Sequence, residues 1–266
     1  MLISHESPIS LLNHSRSYND YDYALVHLFD SDETYLKFFV ESLKQGRHVI
    51  LDNSIFELGE AYDHEKFLYW VDYLKPTEYI IPDVLEDSIG TMNNAKEWKE
   101  KYWGLTPKDS KCIGVVQGKT YQEIVQCYKY LDNHINVDKL AFSFDYSLYL
   151  ELAPHPNKWV SYALGRITLL NKLFNDGIVN VNKPHHLLGC ALPIEFMFYR
   201  NGFDWLETLD TSNPVVHGLL GITYDTGGLT EKQSIKLVDL LYRNIGQADV
   251  ANIEYNVRTF RKIVNG

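Results

Sequence analysis

The feature that most constrains this chain is a recurring grammar: short apolar runs that end in a carboxylate or an amide, each separated from the next by a segment of helical spacing. His48-Val49-Ile50-Leu51 runs into Asp52, and Tyr79-Ile80-Ile81-Pro82 into Asp83. Ile113-Gly114-Val115-Val116 runs into Gln117, and Trp205-Leu206-Glu207-Thr208-Leu209 into Asp210. Apolar runs of this kind read as buried strands. In a parallel α/β protein the C-terminal ends of the strands form the working face, so these four ends are expected to converge on one mouth.

The segments between the runs keep the alternation going. Asp22 to Phe29 is strand-like, and Tyr35 to Leu43 has helical spacing and is closed by Gly46. Phe67, Leu68, Trp70, Val71 and Leu74 share a helix face that Pro76 stops, and a further helix spans Met92 to Tyr102. Thr120-Tyr121-Gln122-Glu123 is a capping-box pattern ahead of the stripe Ile124, Val125, Tyr128 and Leu131. Lys139 to Asp145 reads as a strand, Tyr146 to Pro156 as a loop over the mouth, and Trp159 to Leu173 as a helix. His186 to Ala191 reads as a strand, followed by a helix from Pro193. A second capping box, Thr230 to Gln233, predicts a helix with Ile235, Val238 and Leu241 on one face. Seven strands follow from this pattern, and the eighth is expected at Gly218–Tyr224 or near Ile9–Leu12. The expected architecture is a single-domain (β/α)8 TIM barrel over residues 1–266.

Composition narrows the function classes. No Gly-rich dinucleotide fingerprint or Walker loop follows any strand. The N-terminus lacks the pattern of a signal peptide, and no apolar stretch approaches the ~20 residues that span a bilayer, so no membrane partner is expected. Cys112, Cys127 and Cys190 lie too far apart for a C-x-x-C metal pair, which points to a reducing, cytoplasmic compartment and to no metal. A net charge of -10 argues against a surface that grips nucleic acid everywhere, but leaves room for a local basic strip. Candidates are Lys96, Lys99, Lys101, Lys108, Lys111, Arg258, Arg261 and Lys262.

Two carboxylates facing one cavity, Asp52 and Asp210, are the parts needed for glycosidic chemistry: one attacks or stabilises the anomeric carbon while the other moves a proton. Asp83 and Gln117 together can accept from and donate to the edge of a guanine-like base, and Phe56 can stack on its face. Taken singly, each residue has a plainer reading as a loop cap, a turn residue or a core aromatic.

Leu51-Asp52-Asn53-Ser54-Ile55-Phe56-Glu57 resembles the strand-end motif of the tRNA-guanine transglycosylases, an Asp followed by small residues, an aromatic and a Gln. Gly114-Val115-Val116-Gln117-Gly118 is similar to that family's G-[IV]-[VI]-Q-G. Leu187 to Glu195 resembles its L-x-G-x-G-x-P-E segment, and Gly202 to Asn213 its strand leading to the nucleophile. The likeness keeps chain order from about residue 48 to 214. It departs from the family in lacking the Cys-rich zinc knuckle, in carrying Ser143 and Phe144 where small residues accept the base, and in being short and acidic. The trimmed form most resembles the phage and bacterial relatives that exchange guanine in DNA for a 7-deazaguanine.

The resemblance implies Asp52 as acid and base and Asp210 as nucleophile, with Glu207 as the competing position on the same strand. It implies a base site formed by Phe56, Asp83, Gln117, Gly118, Ser143, Phe144, Gly189 and Glu207. No cofactor is required. The implied partners are DNA, alternatively tRNA, and a free 7-deazaguanine such as 7-cyano-7-deazaguanine, with a homodimer left open; a phage-encoded enzyme would act in the host cytoplasm. The remaining alternatives are a hydrolase using the same two acids and a non-catalytic barrel that binds a purine or nucleic acid.

Overall fold

The computed structural model describes residues 1–266. Eight parallel strands form one sheet: β1 (Leu2–Ser4), β2 (Asp22–Leu25), β3 (Val49–Asp52), β4 (Glu78–Ile80), β5 (Lys111–Val115), β6 (Lys139–Ser143), β7 (His185–Leu188) and β8 (Leu206–Asp210). Each strand from β2 to β7 pairs with its successor, and β8 pairs with β1, so the sheet curls into a nearly closed barrel ringed by helices. This is the (β/α)8 architecture.

The one seam lies between β1 and β2. Asp20 and Asn19 bridge it in place of strand pairing: Asp20 N donates to the Ile3 carbonyl at 3.0 Å, and its Oδ2 accepts from Ile3 N at 2.9 Å. The Asn19 amide exchanges hydrogen bonds with the His5 backbone at 2.7 and 3.1 Å. These groups satisfy backbone donors and acceptors that a strand pair would otherwise satisfy.

Local chemistry sets the outer layer. Asp32 caps Glu33–Lys44 by accepting from Tyr35 N at 2.8 Å, and Gly46 at φ 73° ends it. Asp63 caps His64–Leu74, which buries Phe67, Trp70, Val71 and Leu74. Thr120 and Glu123 form the expected capping box ahead of Tyr121–Lys129. The long helices Lys158–Asn175 and Gln247–Asn265 bury Leu169, Leu170 and Leu173, and Ile253, Val257 and Phe260. Leu169, Leu170, Leu173 and Phe260 join strand residues in a core of 56 buried apolar side chains, while Ile253 and Val257 pack with Val215, Val216 and Leu219 in a smaller separate cluster. No helix is long and apolar enough to cross a membrane.

Three expectations are corrected. The eighth strand is Leu2–Ser4; Ile9–Leu11 is a 3-10 turn, and Gly218 belongs to the helix Asn213–Leu219. The stretch Tyr146 to Pro156 contains the short helix Leu148–Leu152. The helix expected from Thr230 does not form: only a 3-10 turn at Leu237–Leu240 is present, with Ile235 and Val238 exposed. A capping pattern supplies only local hydrogen bonds, and here Lys232 is drawn inward instead.

Candidate active site

Strand register lines up the C-terminal edge of the barrel. Leu25 pairs with Asp52, Ser143 with Leu188, and Ser4 with Asp210. Above this edge lies a cavity of about 420 Å³, lined among others by Asp52, Phe56, Asp83, Gln117, Ser143, Phe144, Gly189 and Asp210. That volume is in the range of small-molecule sites. Eight of the ten sequence-predicted residues therefore meet around one hollow.

The other two do not. Glu207 stands three residues before Asp210 and is half-exposed, bonded at 2.7 Å to Lys139, which begins β6 at the opposite end of the barrel. Strand alternation and distance along β8 separate it from Asp210. Gly118 is packed against the helix start, where a Cβ would meet the Glu123 Cβ at 2.8 Å and Ile124 N at 3.0 Å. Its lack of a side chain serves helix packing.

Asp52 sits where β3 turns sharply. Its Oδ1 accepts from Ser54 N at 2.6 Å, and Asn53 Oδ1 accepts from Ile55 N at 3.0 Å. Ser54 takes the left-handed conformation at φ 61°, a strained choice for a residue with a Cβ. The Tyr23 hydroxyl donates to Asp52 Oδ2. Burial pushes the Asp52 carboxyl up to about 7, with the neighbouring charges of Asp210 and Asp83 adding to the rise and the Tyr23 and Ser54 hydrogen bonds opposing it.

Asp210 is held differently. Its Oδ1 accepts from His186 Nε2 at 3.0 Å and from Gly189 N at 3.2 Å, while Oδ2 has no protein partner. His186 Nδ1 lies 2.9 Å from the Thr208 hydroxyl, so the ring is held at both nitrogens between Thr208 and Asp210. The Tyr23 and His186 rings stack with centroids 5.8 Å apart, so the residues that hold the two acids touch each other.

The Gly189 turn is itself braced from behind. Buried Arg166 donates to the carbonyls of Leu188 and Gly189 at 3.0 and 3.1 Å, and its Nε pairs with buried Glu195 at 2.5 Å. Gly189 has φ 64°, and a Cβ there would lie 2.5 Å from the Phe144 ring. Both facts require glycine.

A polar wall closes another side. Asp83 accepts from Asn53 Nδ2 and from Gln117 Nε2, each at 2.7 Å, and Gln117 Oε1 accepts from Glu86 N at 2.9 Å. These bonds leave lone pairs on Asp83 and one N–H on Gln117 for a ligand edge. Burial raises the Asp83 carboxyl to about 6 against the pull of those two amides. Phe56, 38% exposed, meets Phe144 edge-on at 5.6 Å. Ser143 Oγ donates to Asp145 at 2.7 Å.

Several residues in this mouth carried no prediction. Glu6, after β1, and Glu57 line the cavity, and burial raises both carboxyls, Glu57 to about 8, with Asp52 and Asp210 adding to each shift. Lys232 donates to the Cys190 carbonyl and lies 4.0 Å above the Phe144 ring; burial lowers its ammonium pKa. Tyr23 and His186 were detectable in principle, because each puts a polar atom at an inward position of a buried strand. Glu6 and Lys232 lie in irregular segments, where spacing carries no such signal. No protein-family model matches the chain, and no curated protein is significantly similar to it.

Proposed function

We propose that the protein is a base-exchange transglycosylase that replaces guanine in DNA with a 7-deazaguanine through a covalent Asp210–sugar intermediate. The observation that carries this reading is the pairing of two unlike carboxyls over one hollow: Asp52, raised to about 7, and Asp210, with one oxygen anchored and the other without a partner. Two acids in different environments are suited to different tasks. A carboxyl poised near neutrality can give and take a proton, and an oriented oxygen can attack carbon.

In the first half-reaction the target nucleotide is swung out of the stack into the mouth. Asp210 Oδ2 bonds to C1′ as the C1′–N9 bond breaks, and the leaving guanine takes a proton from Asp52. In the second, Asp52 recovers a proton from N9 of the incoming base, N9 bonds to C1′, and the C1′–Oδ2 bond breaks. Asp83 and Gln117 supply hydrogen bonds to the base edge, and Phe56 offers a ring for one of its faces. The atoms balance without water or a cofactor.

The test is incubation with DNA and radiolabelled guanine or 7-cyano-7-deazaguanine, followed by digestion to nucleosides. Label in deoxyguanosine or its deaza analogue supports the reading, and label only when tRNA replaces DNA moves it to that polymer. Release of free guanine without an acceptor base would replace exchange by hydrolysis. Asp210→Asn should cut exchange by at least about 10³-fold and abolish a denaturation-stable DNA adduct.

A further inference from the structure

The mouth above the acids is rimmed by lysines standing on aromatic rings. Lys158 Nζ lies 4.5 Å from the Trp159 ring centroid, Lys232 Nζ 4.0 Å from Phe144, and Lys236 Nζ 4.4 Å from Phe56. All six residues line the cavity. The lysines come from two segments of the chain and the rings from three, so no single amphipathic helix face accounts for them.

Of the fifteen lysines outside this rim, seven are neutralised. Lys37, Lys66, Lys96, Lys101, Lys139, Lys172 and Lys183 each pair with a carboxylate. The basic candidates from the sequence behave similarly or point elsewhere: Lys99 donates to the carbonyls of His134 and Ile135, Arg261 pairs with Asp20, and Lys111 begins β5 at the far end of the barrel. Exposed Lys158 and Lys236 pair with no carboxylate, although the chain carries a net charge of -10. Free ammonium groups beside a cluster of acids form a local positive rim on a molecule that otherwise repels polyanions.

We infer that this rim grips a single-stranded nucleic acid on either side of the nucleotide in the cavity, Lys158 and Lys236 each touching a phosphate and Trp159 offering a stacking face to a neighbouring base. Cations that follow a backbone, with rings on which bases stack, are the general chemistry of single-strand binding. The inference rests on the base-exchange reading for the nucleotide in the mouth, but concerns the strand outside it. DNA and RNA share the phosphodiester, so both are included in the test.

The experiment is fluorescence anisotropy of a labelled 12-nucleotide single strand containing one guanine, as DNA and as RNA, over a range of salt concentrations. The wild type is compared with a Lys158→Gln/Lys236→Gln double variant and a control Lys108→Gln/Lys111→Gln, with melting curves to verify folding. The rim variant should bind about tenfold more weakly. Its log–log salt slope should fall by about 1.4, which is about 0.7 for each of the two single-strand phosphates that the variant leaves without a cation. The control should match the wild type, and the better-bound polymer names the source of the strand. Equal affinity and slope in the rim variant and the wild type would overturn the inference. Lysine-dependent binding with no base exchange keeps the rim and removes the exchange reading; exchange with lysine-independent binding does the reverse.

Discussion

At the scale of single residues, the site depends on how two acids are held. Asp210 is oriented by His186 and by the Gly189 backbone, and Asp52 by Tyr23 and Ser54. Replacing His186 with Phe keeps a ring against Tyr23 but removes the donor to Oδ1. Misplacing a reacting group by about 1 Å costs on the order of 10²-fold in rate. The His186→Phe variant should therefore lose about 10²-fold in kcat for exchange with little change in the KM for free base. An unchanged kcat, measured by single-turnover base incorporation, would show that His186 does not position the proposed nucleophile, Asp210. A KM effect alone would place His186 in base binding.

At the scale of elements, what could be read in the chain was whatever local pattern determines. The apolar runs ending at Asp52 and Asp210 place both residues at strand ends, and the Thr120–Glu123 box opens a helix as expected. Asp83 and Gln117 fall two or three residues beyond their strands, yet at the same mouth, because a short loop cannot carry them far. The misses come from long-range packing. Leu2–Ser4 is too short to show a period, and it is a strand only because β8 pairs with it. The segment after Thr230 has a helical signature, but Lys232 reaches the Cys190 carbonyl and the Phe144 ring, which no local rule anticipates. Close approach of elements is equally nonlocal. On the helix Lys158–Asn175, a Cβ on Gly165 would meet the Tyr149 Cα at 2.5 Å and its carbonyl at 2.6 Å. Those are backbone atoms that cannot rotate away. Gly165→Ala should destabilise the fold by about 3 kcal/mol, the upper part of the range for overpacking, as read by urea denaturation. A loss under about 1 kcal/mol would mean that the two helices can separate.

At the scale of the whole molecule, the two ends of the barrel respond oppositely to pH. At the floor, buried Lys139 bonds Glu78 at 2.6 Å, and His48 bonds the same carboxylate at 3.1 Å. Lys139→Met strands a buried charge and should cost about 3–5 kcal/mol, much of it recovered by adding Glu78→Gln. Despite its burial, Glu78 is held down to about 2 by His48 and Lys139. Its stabilisation is present above its unfolded pKa of about 4.3 and is lost as pH falls towards 2. The mouth acids have the reverse sign: Asp52 and Glu57 are raised to about 7 and about 8, chiefly by burial. The folded state holds their protons more tightly than the unfolded state, so their contribution is full below about pH 4 and declines as pH rises through 7 and 8. Buried His5 and His185, lowered by burial to about 3 and about 4, oppose that decline by favouring the fold as pH rises, but only up to the unfolded histidine value of about 6.5. Above pH 6.5 these histidines no longer offset the mouth acids. The melting temperature should therefore fall between pH 6.5 and 8.5, and an Asp52→Asn/Glu57→Gln variant should flatten that fall while leaving the acid limb below pH 4 in place. A variant whose melting temperature falls as steeply as the wild type's from pH 6.5 to 8.5 would mean that these carboxyls are already ionised in the folded protein; the difference between the two profiles decides, because buried Lys232, held below its usual value, opposes the fall in both.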